Sequence, residues 1–148
     1  MGTFRRILHA SDFSTASRPA FRKALELTKA GRGSLLITHV LASLPIMADA
    51  YVAATTYDEL LRGQRAAAKK QLDRLVANAR AAGVRASGIL LEFGVPAERI
   101  ARLARSKRAD LIVMGTHGRT GFKRAVLGSV AGRVLALATC PVLTVRGR

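Results

Sequence analysis

The sequence predicts a doubly wound α/β domain: a single five-stranded parallel sheet with helices on both faces, spanning residues 1–148. Three observations predict it. Short apolar runs recur at residues 5–10, 34–40, 86–92, 111–115 and 142–145, each of strand length. Helical apolar spacing fills the intervals between them. The first strand–helix–strand stretch takes about 35 residues, the length of a βαβ unit, and such a unit makes a parallel pair with a right-handed crossover. Strands alternating with helices in this way define the doubly wound class.

The first strand, RRILHA, ends at Ser11-Asp12. Residues 14–17 (STAS) supply candidate N-caps, and Pro19 falls in the first helical turn, where its missing N–H costs nothing. Phe21, Leu25 and Thr28 give helical spacing, which Gly31 and Gly33 end. A second buried strand, SLLITHV, follows at 34–40. Residues 41–56, with Pro45, read as a loop. The spacing then predicts a long helix from about Tyr57 to Ala82, with Leu60 or Leu61, Ala68, Leu72, Leu75 and Ala79 on its apolar stripe and Gly83 as its cap. A third strand at 86–92 is weakened by Gly88, and Pro96 opens a helix with Ile100, Leu103 and Ala104 facing inward. The strand at 111–115 leads into a glycine-bearing loop, a helix from Ser129 to about Ala138, and a last strand, Val142 to Val145.

Composition sets the outer limits. With 49% hydrophobic and 23% charged residues the chain is an ordinary folded globule. Cys140 is the single cysteine, which excludes a disulfide framework or thiolate metal cluster, and three scattered histidines do not make a metal site. No signal segment and no apolar run near the ~20 residues of a membrane span is visible, so the chain reads as soluble and cytoplasmic. Lys and Arg number 25 against 9 Asp and Glu, a net charge of +16. Such an excess favours anionic partners without choosing among them. Nucleic acid is the sharper reading, but the absence of Trp, 5% aromatics and no basic–aromatic interleaving leave only non-specific electrostatic association.

The informative stretch is DLIVMGTHGRTGFKRAVLGSV, residues 110–130. A buried strand breaks into a loop holding Gly115, Gly118 and Gly121, then reaches Gly128-Ser129 before a helix. Glycines let backbone N–H groups approach an anion, and a helix N-terminus adds free donors and a positive dipole end. The spacing Gly115-x2-Gly118-x9-Gly128-Ser129 matches neither GxGxxG nor GxxxxGK[ST]. Ser129, as N-cap, could also donate to a phosphate oxygen. In sheets of this class ligands bind at the carboxyl ends of the strands, where Asp12, Val40 and Gly115 lie. Asp12 reads either as the cap of the first helix or as a ligand contact, and His117 either as a solvated turn residue or as a ribose or phosphate contact. Arg119, Lys123 and Arg124 are either solvated or closed over an anion. His9 and His39, on buried strands, read as satisfied core residues.

These residues also carry a family resemblance. The opening strand into Ser11-Asp12-Phe13-Ser14, the strand ending in His39-Val40, and Ala109 to Gly118 (ADLIVMGTHG) together resemble the universal stress protein family over the whole chain. The glycine pattern is similar to that of its ATP-binding branch. The resemblance implies strand order 3-2-1-4-5, dimerisation through the last strand (Val142 to Val145), and ATP, with Mg²⁺ on its phosphates, lying across the strand ends. By position, Ala10, Ser11 and Asp12 would lie by the adenosine, and Val40 would hold the adenine edge through its backbone. Met114, Gly115, His117 and Gly118 would line the ribose and phosphate path, with Arg119 among the loop cations. Gly128, Ser129 and Val130 would grip the phosphates. Gly132 departs from the expected helix former and costs roughly 0.5–1 kcal/mol of local helix stability.

The function these readings converge on is a homodimeric, nucleotide-dependent regulator of a stress response. The alternative is an enzyme that slowly hydrolyses ATP or phosphorylates itself on Ser129. Against it stand the missing P-loop lysine and the lack of a positioned general base beyond Asp12 and His117.

Overall fold

The computed structural model describes residues 3–43, 53–117 and 127–147. The strands are β1 (Arg6–Ala10), β2 (Ser34–Val40), β3 (Arg85–Leu91), β4 (Leu111–Gly115) and β5 (Val142–Val145). They form one sheet in the order β3-β2-β1-β4-β5, with every neighbouring pair parallel. The helices are α1 (Arg18–Gly31, entered through a single turn at Thr15–Ser17), α2 (Ala54–Ala81), α3 (Pro96–Ser106) and α4 (Ser129–Leu137). The expected sheet, its order and its flanking helices are what the chain adopts.

Alternation along β1 divides the core in two. Ile7 points into a cluster with Ala20, Ala24, Leu35, Ile37, Leu72 and Val113, under α1 and α2. Leu8, one residue on, points into the opposite cluster with Ile100, Ala104, Ile112, Ala131 and Val134, under α3 and α4. Central strands buried on both faces explain the unbroken apolar run at 111–114. The Asp110 carboxylate accepts the backbone N–H groups of Arg5 and Arg6 at 2.9–3.1 Å, which ties the start of β4 to the start of β1.

Several local expectations change. The N-cap of α4 is Gly128, with φ −60° and ψ 155°, so Ser129 is the first helical residue and not the cap. Asp12 does not cap α1: that place is held by Ser17, while an Asp12 carboxylate oxygen accepts the Ser14 N–H at 2.9 Å. Ser17 is no side-chain cap either, since its hydroxyl donates back to the Ser14 carbonyl at 2.8 Å. The long helix starts three residues earlier than the periodicity suggested, at Ala54. Its stripe is Ala68, Leu72, Val76 and Ala79, with Leu75 half-buried and Leu60 54% exposed.

Gly88 is a packing device and not a weakness of β3. A Cβ there would stand 3.0 Å from Leu72 Cγ and 3.0 Å from Val76 Cγ2, so its absence lets α2 lie close on the strand. Gly31 and Gly33 do the same at the other end of α1. Added Cβ atoms would come 2.1 Å from the Phe4 carbonyl oxygen and 2.4 Å from that of Arg5. The left-handed turn that ends α1 falls instead on Arg32, at φ 51°.

Candidate functional site

The strands end together at one edge of the sheet, and their loops diverge there because β1 connects to β2 on one side while β4 lies on the other. The result is a cleft of about 850 Å³. β1 and the turn after it contribute Ala10, Ser11, Asp12 and Phe13; β2 contributes Thr38, His39 and Val40. β4 and its exit supply Met114, Gly115, Thr116 and His117, and the start of α4 supplies Gly128, Ser129 and Val130. Every site residue named from the sequence that lies among the described residues lines this cleft. Gly118, Arg119, Gly121, Lys123 and Arg124 lie outside the described residues.

Hydrogen bonds fix the turn after β1. The Ser11 N–H donates to the Thr38 carbonyl at 2.9 Å, and the Ser11 hydroxyl accepts the Phe13 N–H at 3.1 Å. Phe13 is held at φ 64°, a conformation disfavoured for an aromatic residue. Its ring stacks on His39, with centroids 4.2 Å apart and planes at 25°, and that contact helps hold it there. His39 Nδ1 lies 2.8 Å from the Ser11 carbonyl and so donates to it. The two neighbouring strands thus present a rigid, partly aromatic wall.

The other end of the cleft is polar. Gly128 N–H donates to the Thr116 carbonyl at 2.7 Å, clamping the entry of α4 onto the exit of β4. A Cβ on Gly128 would lie 2.8 Å from that same carbonyl oxygen. Gly128 is therefore required by a chain crossing, and the open space the sequence reading assigned to an anion is filled there by backbone. At Gly115 a Cβ would meet nothing closer than the His117 carbonyl oxygen at 3.4 Å, an ordinary contact. The first bond of α4 runs from Gly132 to Gly128, so the first-turn N–H groups of Ser129, Val130 and Ala131 have no carbonyl within the helix to bond. They stand at the cleft with the positive end of the helix dipole. His117 Nδ1 sits 2.9 Å from the Thr116 hydroxyl, and its buried Nε2 has no hydrogen-bond partner among the described residues.

His9 lies behind the site, fully buried. Its Nδ1 is 2.9 Å from the Val113 carbonyl, which can only accept, so the proton is on Nδ1. Nε2 is then a buried acceptor with no partner among the described residues, a partial departure from the satisfied core histidine expected. Burial lowers its pKa from 6.5 to about 4, opposed by the Val113 bond and the charge of Asp12. It is a neutral structural residue. Burial likewise raises the pKa of Cys140, which favours the protonated thiol.

Sequence reasoning missed the α2 wall. Gln64, Ala67, Ala68 and Gln71 line the cleft, with Gln64 Nε2 donating to the Ala42 carbonyl at 2.9 Å. Gln64 and Gln71 are seven residues apart beside Ala68, a polar edge to the apolar stripe that periodicity alone could have flagged. Nothing in the sequence pointed to Phe13 as a wall residue beyond its place next to Asp12. Among the described residues no group of three His, Cys, Asp or Glu side chains could hold a metal ion, and no helix is long and apolar enough to cross a membrane.

A doubly wound sheet with its cleft at the switch in strand order, bounded by a helix N-terminus, defines an α/β domain of the class that takes ligands at its strand ends. Within that class the chain belongs to the universal stress protein family, whose pattern matches residues 3–146. A universal stress protein of Methanocaldococcus jannaschii is 36% identical over 144 residues, 97% of this chain and 82% of that protein. Universal stress protein YxiE of Bacillus subtilis is 34% identical over 148 residues, 97% of this chain and 99% of that one. Among solved structures, a universal stress family protein from Burkholderia pseudomallei superposes with a TM-score of 0.75 at 30% identity, covering 99% of both chains. Two more distant proteins share the fold and hold adenine nucleotides. The Archaeoglobus fulgidus universal stress protein, in complex with dAMP, has TM-score 0.64 and 24% identity, covering 98% of this chain and 100% of that one. An Arabidopsis thaliana family member with AMP bound has TM-score 0.68 and 19% identity, covering 97% and 92%.

Proposed function

We propose that this chain binds an adenine nucleotide in the cleft at the carboxyl ends of β1, β2 and β4, with Mg·ATP as the ligand. In this reading it is a cytoplasmic homodimer that reports nucleotide state to a partner, and not an enzyme of ordinary turnover. The observation that carries the reading is the polarity of the cleft from end to end. Where β1 and β2 end, Phe13 stacks on His39 beside Val40, an apolar and aromatic wall suited to a base. At the other end is the free first turn of α4, suited to phosphate. Its volume of about 850 Å³ falls in the range of small-molecule sites, ~300–1,000 Å³. The dAMP and AMP complexes of the Archaeoglobus and Arabidopsis proteins lend the same fold an adenine ligand.

Roles follow from position. Ala10, Ser11 and Asp12 border the nucleoside, and the backbone of Val40 faces the base edge. Met114, Gly115 and His117 line the ribose and phosphate path, where a ligand hydroxyl or phosphate oxygen would give His117 Nε2 its missing partner. Ser129 and Val130 present backbone donors and Gly128, bonded to Thr116, fixes the turn that places them, while Gly118 and Arg119, which lie outside the described residues, are assigned to the phosphate path from the sequence alone. Mg²⁺ would be carried on the phosphates, since the described residues of the cleft gather no carboxylate set of their own.

Calorimetric titration of nucleotide-stripped protein with Mg·ATP, AMP and tripolyphosphate, at low and physiological salt, tests this. Micromolar affinity, about −8 kcal/mol, that survives salt and exceeds tripolyphosphate is expected. Binding that fades with salt and equals tripolyphosphate would reduce the cleft to one more cation surface.

A further inference from the structure

The opposite end of the sheet holds a second concavity, about 210 Å³, lined among others by Arg6, Leu8, Ser34, Leu36, Ser87 and Lys107. It exists because the two faces of β3 are covered unequally. α2 packs on one face through Gly88, while on the other Ser87 is exposed and Ile89 only half-buried. Strand register builds the floor. Arg6 pairs with Ser34, and Ser34 with Arg85; in the next row on the same face, Leu8 pairs with Leu36, and Leu36 with Ser87. A cation and hydroxyl row thus lies beside an aliphatic one, and Lys107 closes the wall from the turn after α3.

Among the described residues no carboxylate pairs with Arg6 or Lys107 of this groove. The nearby acid, Asp110, has its carboxylate on the backbone N–H groups of Arg5 and Arg6. Among the described residues the ion pairs are Lys23–Glu26, Arg65–Glu92, Lys69–Asp73 and Arg133–Glu98, none of which uses Arg6 or Lys107. We infer that this groove is a second ligand site, for a small organic anion: a carboxylate on a short apolar body. The volume equals roughly seven waters at ~30 Å³ each, room for a medium-chain carboxylate. Inorganic phosphate would meet the rim and leave the half-buried Leu36 and Ile89 wet. An uncharged alkyl ligand would leave Arg6 and Lys107 without a counter-charge. A second copy of the chain would bring another +16 against them.

The groove lies at the other end of the strands from the nucleotide cleft, so its fate is separate from that reading. The test is an amide ¹H–¹⁵N titration of the whole protein with sodium octanoate in physiological salt, with inorganic phosphate and 1-octanol as comparators. Saturable shifts at residues 6–8, 34–36, 87–89 and 107–109 are expected with octanoate, and much weaker ones with either comparator. Lys107→Glu and Arg6→Glu should each weaken octanoate about tenfold, the loss of one charge-assisted contact. Arg74→Glu, on the exposed side of α2, should leave it unchanged. Lys107 is exposed, so its variant keeps the test alive if Arg6→Glu disturbs β1. Absent shifts, shifts confined to Ser11, Val40 and Gly115, equal binding of phosphate, or indifference to both charge reversals would each overturn the assignment.

Discussion

Two glycines of one loop have opposite reasons for being glycine, and substitution separates them. Alanine at Gly128 puts a Cβ 2.8 Å from a backbone carbonyl that cannot swing away, whereas at Gly115 the nearest atom is 3.4 Å off. Gly128→Ala should therefore lose about 1–3 kcal/mol of stability, the usual cost of overpacking. It should also weaken nucleotide by displacing the first turn of α4. Gly115→Ala should stay within about 1 kcal/mol of the parent. Urea unfolding of the pair checks this, and equal losses would remove the distinction. His9 gives a second prediction at the same scale. Its folded pKa, about 4, lies below the unfolded value near 6.5, so between these the unfolded state binds more protons. Its contribution is complete above pH 6.5 and is lost as pH falls toward 4, by up to about 3 kcal/mol. In His9→Leu the difference between stability at pH 7 and at pH 4.5 should shrink by most of that amount; an unchanged difference would mean that His9 is protonated inside the fold.

At the scale of elements, the sheet was legible because each strand announces itself locally. The run at 111–115 and the stretch at 34–40 were read with the bounds the chain adopts. What periodicity could not show was why a residue breaks its own pattern. Gly88 looked like damage to β3, and only the approach of Leu72 and Val76 reveals its use. Ser129 looked like an N-cap because Ser is a favoured one, but the crossing with Thr116 takes Gly128 for that place. The cleft was legible where it follows from strand ends and illegible where a helix distant in sequence, α2, folds over it with Gln64 and Gln71. The tight seat of α2 on β3 predicts that Gly88→Ala, a gain for β propensity in isolation, costs about 1–3 kcal/mol here by overpacking. Chemical denaturation should show a lower midpoint with an unchanged slope. A stabilised Gly88→Ala protein would show that α2 has slack.

For the whole molecule the governing quantity is +16, because it enters the two proposed associations with opposite sign. A nucleotide brings negative charge to a positive body, so salt should weaken its capture. Two copies bring positive charge to positive charge, so the same salt should help them meet. The proposed dimer surface, the outer edge of β5, is suited to that contact: its four residues are each half-buried and, among the described residues, it has strand β4 on one side only. An edge strand left open is a template for a second copy, and the helix leading into it exposes Leu135 and Leu137, each 44% accessible. Hydrophobic burial at such an edge is little affected by the screening that removes the repulsion. Raising ionic strength from about 0.01 M to about 0.15 M shortens the screening length from about 30 Å to about 8 Å. The dimer should accordingly tighten over that range while Mg·ATP weakens, and Leu137→Glu should shift the population toward the 15.8 kDa monomer. Sedimentation velocity at the two salt concentrations reads the first, and the calorimetric series the second. A dimer that loosens with salt in step with the nucleotide would mean that ion pairs hold the copies together, and the β5 edge would have to be given up as the contact.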